Sequence, residues 1–288
     1  NALPTANGRT AISMDATGSG GSTLSLGANQ AIASLTGAAS SNVTLGSNTL
    51  TIGTTSGNTT FAGRISGNGN LVKDGDSKQV LSGNSTFTGA VTINGGILEA
   101  AAARALGSNN TVEVNGGTLL VSANSSINGM NITMNGNSTT VATLAFSSDY
   151  TGSIGNLTLS ANSIIDLGQG NVGLAFADLA AGLYNQYTLS FYNWSGTTKW
   201  GTTYGTGTDT IFFGSGNYTL ANVKFYSGAV GSNSFVGSGF EVMPQTTWEP
   251  GLDGHYIIPV PEPETYATGL LLLLGGAWWM WRNRKAES

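Results

Sequence analysis

The sequence has no cysteine, one histidine and few charged residues. Without cysteine among its 288 residues, the chain has no disulfides, no thiolate metal sites and no thiol catalysis. The single histidine, His255, stands in a linker-like stretch with Gly and Pro nearby and cannot build a catalytic triad or a zinc site by itself. Charged residues make up 9% of the chain and the net charge is −5, so no nucleic-acid partner is expected.

Glycine, with 43 residues, is abundant, and Ser, Thr and Asn must supply most of the polar surface. The hydrophobic fraction of 40% is too high for a disordered chain. Many short apolar pairs separated by Gly and Asn are typical of β-strands joined by turns. The composition therefore predicts an all-β protein.

Five short segments with alternating apolar residues recur at a nearly constant spacing. They begin at Leu50, Leu71, Val91, Val112 and Ile132, a regular step of about 20 residues. The position two residues further on is also apolar in every segment except at Lys73. One strand per repeat predicts the parallel ladders of a β-solenoid, with the five leading residues stacked on one interior face. A sandwich of hairpins that uses the Asn-Gly turns is the alternative.

The stretch ISGNGNLVKDGDSKQVLSGNSTFTGAVTINGGILEA resembles the autotransporter-associated β-strand repeat, and the resemblance covers roughly residues 61–121. Phe87 stands where that repeat usually has Tyr. The resemblance implies a right-handed parallel β-helix and a surface or passenger-type architecture, but no activity. The residues that match the repeat are Gly67, Gly69, Leu71, Lys73, Gly75, Leu81, Gly83, Asn84, Thr88, Gly89, Gly95, Gly96 and Leu98.

The segment LEAAAARALG interrupts the β pattern with strong helix formers, followed by Gly107 as a candidate cap. We expect residues 99–106 to form a short helical turn between two coils.

Aromatic residues mark a boundary near residue 183, because most of them fall within residues 184–256. We expect a solenoid over residues 1–183, an aromatic-rich capping β region over residues 184–256 and a separate segment over residues 257–288. Bulky rings can close the open end of a solenoid. A subunit interface is one alternative. A glycan-stacking platform is the other, with the candidate residues Tyr192, Trp194, Trp200 and Tyr204.

Residues 257–288 combine a proline-containing acidic motif, a short apolar run and a basic tip. Residues 267–281 carry no charge, and as a helix they would span about 22 Å, which is short for a hydrocarbon core of roughly 30 Å. The positive-inside rule places the basic tip in the cytoplasm and the preceding chain outside the inner membrane. The three parts are Pro261, Glu262 and Pro263; the span with Leu270, Leu271, Leu272, Leu273 and Leu274; and Arg282, Arg284 and Lys285.

This ordered triple resembles the PEP-CTERM sorting signal. The resemblance implies recognition by an exosortase-type membrane processing enzyme, transient anchoring in the inner membrane, cleavage near the motif and transfer to the cell surface or extracellular matrix. A permanent C-terminal hydrophobic helix that anchors the protein is the alternative.

No residues form a convincing catalytic, cofactor or metal site in the sequence. Asp74 and Asp76 in KDGDSK could ligate Ca²⁺, but a tight turn is the simpler interpretation because the calcium-binding nonapeptides are missing. Nothing places the acidic pairs Glu99 with Glu113, or Asp166 with Asp178, across a cleft as glycosidase chemistry requires. The frequent Asn-x-Ser/Thr sequons arise from composition, and their asparagines could stack as ladders along the solenoid.

The sequence thus predicts a non-enzymatic, exported structural protein of the cell surface or extracellular matrix. We expect its rod faces to assemble into a homo-oligomer or filament, because charge is low and the ladder ends are open. A carbohydrate-binding adhesin with extracellular polysaccharide as partner is the first alternative, and a β-helical polysaccharide-cleaving enzyme is the second.

Overall fold

The computed structural model describes eleven segments of the chain. They are residues 9–14, 21–53, 57–108, 111–136, 139–179, 187–195, 209–213, 222–232, 235–238, 240–244 and 255–259. Within these segments the backbone forms short β-strands, and none of the described residues is in an α-helix.

The strands form three sheets, which we call the first, second and third sheet. The first sheet contains β1 (Ala11–Met14), β4 (Ser34–Gly37), β7 (Thr59–Phe61), β10 (Lys78–Leu81), β12 (Ile97–Ala100), β14 (Gly117–Val121), β16 (Ala142–Phe146), β18 (Ser163–Asp166), β20 (Leu189–Tyr192), β22 (Val223–Tyr226) and β23 (Phe235–Ser238). The second contains β3 (Gln30–Ile32), β6 (Leu50–Gly53), β9 (Leu71–Asp74), β11 (Val91–Ile93), β13 (Thr111–Val114), β15 (Asn131–Met134), β17 (Tyr150–Leu159), β19 (Val172–Leu179), β21 (Thr210–Phe213), β25 (His255–Pro259) and β24 (Phe240–Pro244). The third contains β2 (Thr23–Ser25), β5 (Asn42–Thr44) and β8 (Arg64–Ser66).

The chain winds through the three sheets in turn, which makes a β-solenoid. From β4 to β22, each strand pairs in parallel with the strand one coil earlier on the same side. After β8 the third side continues without regular strands, since the backbone N–H groups of Thr86 and Thr88 still donate to the carbonyls of Ile65 and Gly67, at 2.8 and 3.0 Å. The predicted solenoid is confirmed, and the sandwich alternative does not apply to these coils.

The predicted interior stack is confirmed residue by residue. Its five members pair in sequence along the second sheet, and all are buried: Leu50, Leu71, Val91, Val112 and Ile132. Each carries an aliphatic side chain that loses its contact with water, so the core is a continuous apolar column along the rod.

Glycine makes the corners between the second and first sheets narrow enough for this repeat. Gly117 has φ of 120°, and a Cβ there would lie 2.8 Å from the carbonyl oxygen of Gly96 one coil earlier. Gly96 itself has φ of 62°. Side chains at these positions would collide with the neighbouring backbone, so the stacked Gly-Gly turns keep the coils at strand spacing.

The later coils are longer, and the last strands reverse direction. The chain between the register partners Leu189 and Val223 is much longer than that between Val112 and Ile132. At the end of the rod, β23 pairs antiparallel with β22, and β25 pairs antiparallel with both β21 and β24. The parallel ladders continue on both sides of residue 183, and the division into domains at that residue stays a prediction.

Two local expectations are wrong. Glu99 and Ala100 belong to strand β12, and the chain then makes a tight turn rather than a helix, in which Gly107 N–H donates to the Arg104 carbonyl at 3.1 Å. The strand wins because Glu99 pairs in register with Val80 and Leu120, a tertiary contact that outweighs helix propensity. His255 begins strand β25 instead of lying on a linker.

Candidate functional site

The predicted sorting segment lies outside the described residues. This holds for Pro261, Glu262, Pro263, Leu270, Leu271, Leu272, Leu273, Leu274, Arg282, Arg284 and Lys285. Within the eleven described segments, no helix has the length and apolar character needed to cross a membrane.

Aromatic rings fill the interior at the C-terminal end of the solenoid. Phe191 and Phe225 are register partners on β20 and β22, and their rings stack with centroids 5.0 Å apart and an interplanar angle of 11°. Trp194 packs its ring edge against Phe225 at 4.9 Å and is only 2% exposed. The Trp194 ring therefore lies in the core, and no described residue accepts a hydrogen bond from its indole N–H.

A buried carboxylate ties this aromatic end to the preceding coil. Asp209 accepts hydrogen bonds from the backbone N–H groups of Val172 and Ser195 and from the Ser195 hydroxyl, all at 2.8 Å. Burial raises the pKa of Asp209 above its usual value, and the three donors partly offset that effect. The carboxylate fixes the backbone directly after Trp194, which is a structural role.

A second aromatic row runs along the outside of the same strands. Tyr192 and Tyr226 stack with centroids 4.4 Å apart at 7°, and Phe235 follows at 5.4 Å with a tilt of 59°. Phe235 is 41% exposed, and Val230, in the loop after β22, is 47% exposed. These four residues, which we call the outer aromatic patch, hold two of the three large hydrophobic side chains that are exposed within the described segments.

Polar groups flank the outer aromatic patch. The Asp166 carboxylate accepts from the Asn193 side-chain amide at 2.6 Å, and Asn193 in turn accepts from the exposed Gln169 at 3.2 Å. Burial first, and then the neighbouring Tyr226, raise the pKa of Tyr192 above its usual value. Trp200 and Tyr204 lie outside the described residues, so the glycan-stacking site as predicted, with Tyr192 and Trp194, stays a prediction.

Lys73, the single departure from the apolar pattern, lies inside the solenoid. It is 1% exposed and sits between Ile52 and Ile93 in the ladder. Its Nζ donates to the carbonyls of Asp74, Gly75 and Gly95 at 2.7, 2.9 and 3.3 Å. Desolvation lowers the pKa of Lys73, and nearby carboxylates partly offset this shift.

The Lys73 ammonium group therefore occupies the interior of the KDGDSK turn, where the sequence offered Asp74 and Asp76 as calcium ligands. The Asp74 carboxylate faces outward and pairs with Arg9 at 2.7 Å, and this hydrogen bond is the main reason that the pKa of Asp74 is lowered. The described segments contain no cluster of three or more His, Cys, Asp or Glu residues that could hold a metal ion. The turn carbonyls and the lysine together close the corner of the solenoid.

Glu99 and Glu113, one of the acidic pairs named in the sequence analysis, lie on different sheets of the solenoid. Glu99 is on β12 of the first sheet and Glu113 on β13 of the second, each at a half-buried outward position. Glu99 accepts from Lys78 Nζ and Ser122 Oγ, both at 2.7 Å. Burial opposes ionisation of Glu99, but these hydrogen bonds outweigh it and lower its pKa.

Asparagine side chains link successive coils. Asn115 donates to Asn94, and Asn135 donates to Asn115, each at 3.0 Å, so the asparagines of the Asn-Gly turns form an amide ladder at the corner after the second sheet. Other asparagines bridge to backbone N–H groups about one coil later, as Asn70 does to Ala90 and Asn84 does to Arg104. Each bridge satisfies polar groups at the corners, where strand pairing has stopped.

Residues 71–100 match the family model described as the passenger-associated-transport-repeat. This region begins at strand β9, includes Lys73 with its turn, and ends at β12. Comparisons with curated proteins and with solved structures give no match. The repeat and the β-solenoid together fit an exported surface protein.

Sequence reasoning missed two buried polar groups that hold the coils. Gln79 accepts a hydrogen bond from the Leu35 N–H at 3.2 Å and donates one to the Leu35 carbonyl at 2.9 Å, although Leu35 lies two coils away. In the coil between them, strands β4 and β7 pair only through Gly37 and Phe61, so Gln79 supplies the missing contacts. Asp209 was likewise not considered. Gln79 occupies an inward position of its strand, where the strands of the later coils have an apolar residue. This polar residue at an apolar position could have indicated a buried hydrogen-bonding group.

Proposed function

We propose that the protein is a non-enzymatic, exported structural component of the cell surface or extracellular matrix. The observation that carries this proposal is the stack of parallel coils in the described residues, held by apolar columns, a buried lysine and amide ladders. Such a rod is stiff because each coil is hydrogen-bonded to its neighbours along the sheets.

A β-helical enzyme that cleaves polysaccharide is the competing function. Of the acids weighed above, Glu99 and Asp74 are engaged in ion pairs and Asp209 in backbone contacts. Incubation of the protein with acidic polysaccharides should release no shorter chains, and measurable turnover would replace the structural role with a catalytic one.

We propose further that residues 257–288 act as a PEP-CTERM-type sorting signal for an exosortase-like enzyme. The support is the order of the motif Pro261, Glu262 and Pro263, the short uncharged run and the basic tip. A run that is short for a hydrocarbon core suits a transient stop during export better than a permanent anchor.

Alanine replacement of Pro261, Glu262 and Pro263 together should trap the full-length chain in the inner membrane. Glu264→Ala, just outside the motif, is the matched control and should still reach the surface. Mass spectrometry of surface-exposed molecules decides between cleavage and anchoring. If those molecules retain residues 270–285, the protein is anchored by this segment and the sorting proposal is wrong.

Carbohydrate binding is the second candidate function, and the exposure of Phe235 and Val230 beside the tyrosine stack favours it. Aromatic rings with amide and carboxylate neighbours are suited to sugars, which offer both apolar faces and hydroxyl groups. On a glycan array, Phe235→Ala should abolish any specific signal, whereas Val141→Ala, at the third exposed hydrophobic residue, should leave it unchanged. Absence of any glycan signal in the unchanged protein counts against this function.

Self-association is a further part of the proposal. At the N-terminal end, Ile12 and Leu24 are only half-buried, although their register partners Leu35 and Val43 are fully buried. Half-covered interior side chains on these first described strands favour contact between rods. Light scattering over a concentration series should show larger species, and only monomer at high concentration would remove assembly from the proposal.

A further inference from the structure

Two tyrosines are stacked on adjacent coils at the outer surface. The pairing of Phe191 with Phe225 sets the register of β20 and β22, and this places Tyr192 and Tyr226 side by side. Their ring centroids are 4.4 Å apart and the rings are nearly parallel, at 7°. Because side chains on paired parallel strands point the same way, we expect the ring carbons next to the two hydroxyls to face each other.

Solvent reaches both rings in part. Tyr192 and Tyr226 are half-buried on the outer face, and the backbone N–H of Gly231 hydrogen-bonds to the Tyr192 hydroxyl. Tyr150 differs in both respects, because it is fully buried and its hydroxyl donates to Asn128 at 2.7 Å. The stacked pair thus combines contact between two phenols with access from outside.

We propose that Tyr192 and Tyr226 form an oxidative cross-linking site, where a peroxidase-type oxidant joins the two rings as dityrosine. Each phenol loses one electron and one proton to give a phenoxyl radical. The two radicals form one carbon–carbon bond between their ortho positions, and each ortho hydrogen then moves to oxygen and restores the phenol. Overall, two electrons and two protons leave the pair, and they reduce one hydrogen peroxide to two waters.

The bond would join β20 to β22 across the longest step of the first-sheet ladder. The chain has no cysteine, so disulfides cannot supply a covalent link at this end of the rod. Closing a long loop covalently restricts the unfolded chain, as it does for disulfides. The biological setting rests on the proposed export, because peroxide and peroxidases meet the protein outside the cell, but the chemistry can be tested on purified protein.

The experiment treats the full chain at low concentration with a haem peroxidase and hydrogen peroxide. The expected product is a monomer that has lost two hydrogen atoms and shows dityrosine fluorescence. Trypsin cleaves after Lys199 and Lys224, which places the two rings on different peptides, so the cross-link is identified as one joined peptide pair. Tyr192→Phe and Tyr226→Phe keep both rings in the stack, and each should lower the yield of this pair at least tenfold.

Tyr187→Phe is the matched control, because Tyr187 is half-buried and lies on the same tryptic peptide as Tyr192. It should leave the yield unchanged. The proposal is overturned if the joined peptide pair persists in Tyr226→Phe, if it occurs only in covalent dimers, or if the unchanged protein gives no such pair. None of these results bears on sorting by residues 257–288, so the two proposals fail independently.

Discussion

The solenoid contains two regions that share one ladder pattern and differ in how their coils are filled. From residue 30 to residue 136, aliphatic columns on the second sheet advance by a nearly constant step per coil, with Gly and Asn at the corners. From residue 163 onward the steps between register partners are longer, and towards the end stacked rings such as Phe191 and Phe225 occupy the interior. The first region repeats, whereas the second region ends the rod.

This difference follows from the space available at the corners. In the first region a Cβ at Gly117 would press on the carbonyl of Gly96, so turns of one length and composition recur. In the second region the connections are longer, and the coil before β22 carries aromatic rings on both faces of the sheet. Antiparallel β23 then covers the last parallel strand, as the end of a solenoid requires.

The largest effect is expected for a charge in the aliphatic column. Val112→Asp places an unpaired carboxylate between Val91 and Ile132, and should lower the free energy of unfolding by more than about 4 kcal/mol. Urea denaturation measures the loss. Thr118→Asp, at an outward position of β14, should cost less than about 1 kcal/mol, and equal losses for the two variants would contradict the buried column.

Removal of one ring from the aromatic end should have the next largest effect. Phe225→Ala deletes the stack with Phe191 and the contact with Trp194, at a cost of about 3–4 kcal/mol. Hydrogen exchange should become faster in β20 and stay unchanged in β11, because a coil contacts only its neighbours. Uniformly faster exchange along the chain would mean that the two regions unfold as one unit.

Loss of the amide ladder should be a smaller effect, confined to the regular region. Asn115→Ala removes two amide–amide hydrogen bonds and should cost about 1–2 kcal/mol. Asn94→Ala, which removes only one of them, should cost about half as much in the same thermal or urea assay. If both variants lose the same stability, the second hydrogen bond of Asn115 contributes nothing to the free energy of unfolding.

How far the sequence could predict the molecule differs between these regions. The spacing of Leu71, Val91 and Val112 predicted their register correctly, because a fixed coil length maps directly onto strand pairing. Lys73 could not be placed, since its partners are carbonyls of turns in two coils. The burial of Trp194 could not be predicted, because in the region of long connections the repeat spacing no longer shows which coil position a residue occupies. The sorting segment stays a prediction from sequence alone.

The smallest effect is expected from acid. Arg9 lowers the pKa of Asp74, and hydrogen bonds from Lys78 and Ser122 lower that of Glu99, from usual values of 3.8 and 4.5. The unfolded chain binds these protons more readily, so this contribution to stability is present above those values and is lost as the pH falls below them. The double variant Asp74→Asn and Glu99→Gln should show a shallower loss of stability in acid, and an unchanged slope would contradict this assignment.

In-register parallel stacking is the central claim, and disulfide trapping tests it most directly in a chain without cysteine. Thr92 and Glu113 are outward register partners on β11 and β13, and neighbouring strands lie about 4.8 Å apart, within disulfide range. Thr92→Cys with Glu113→Cys should oxidise readily within the monomer. Thr92→Cys with Thr111→Cys, two positions out of register at about 8 Å, should not. Efficient bonding of the second pair and failure of the first would contradict the solenoid register.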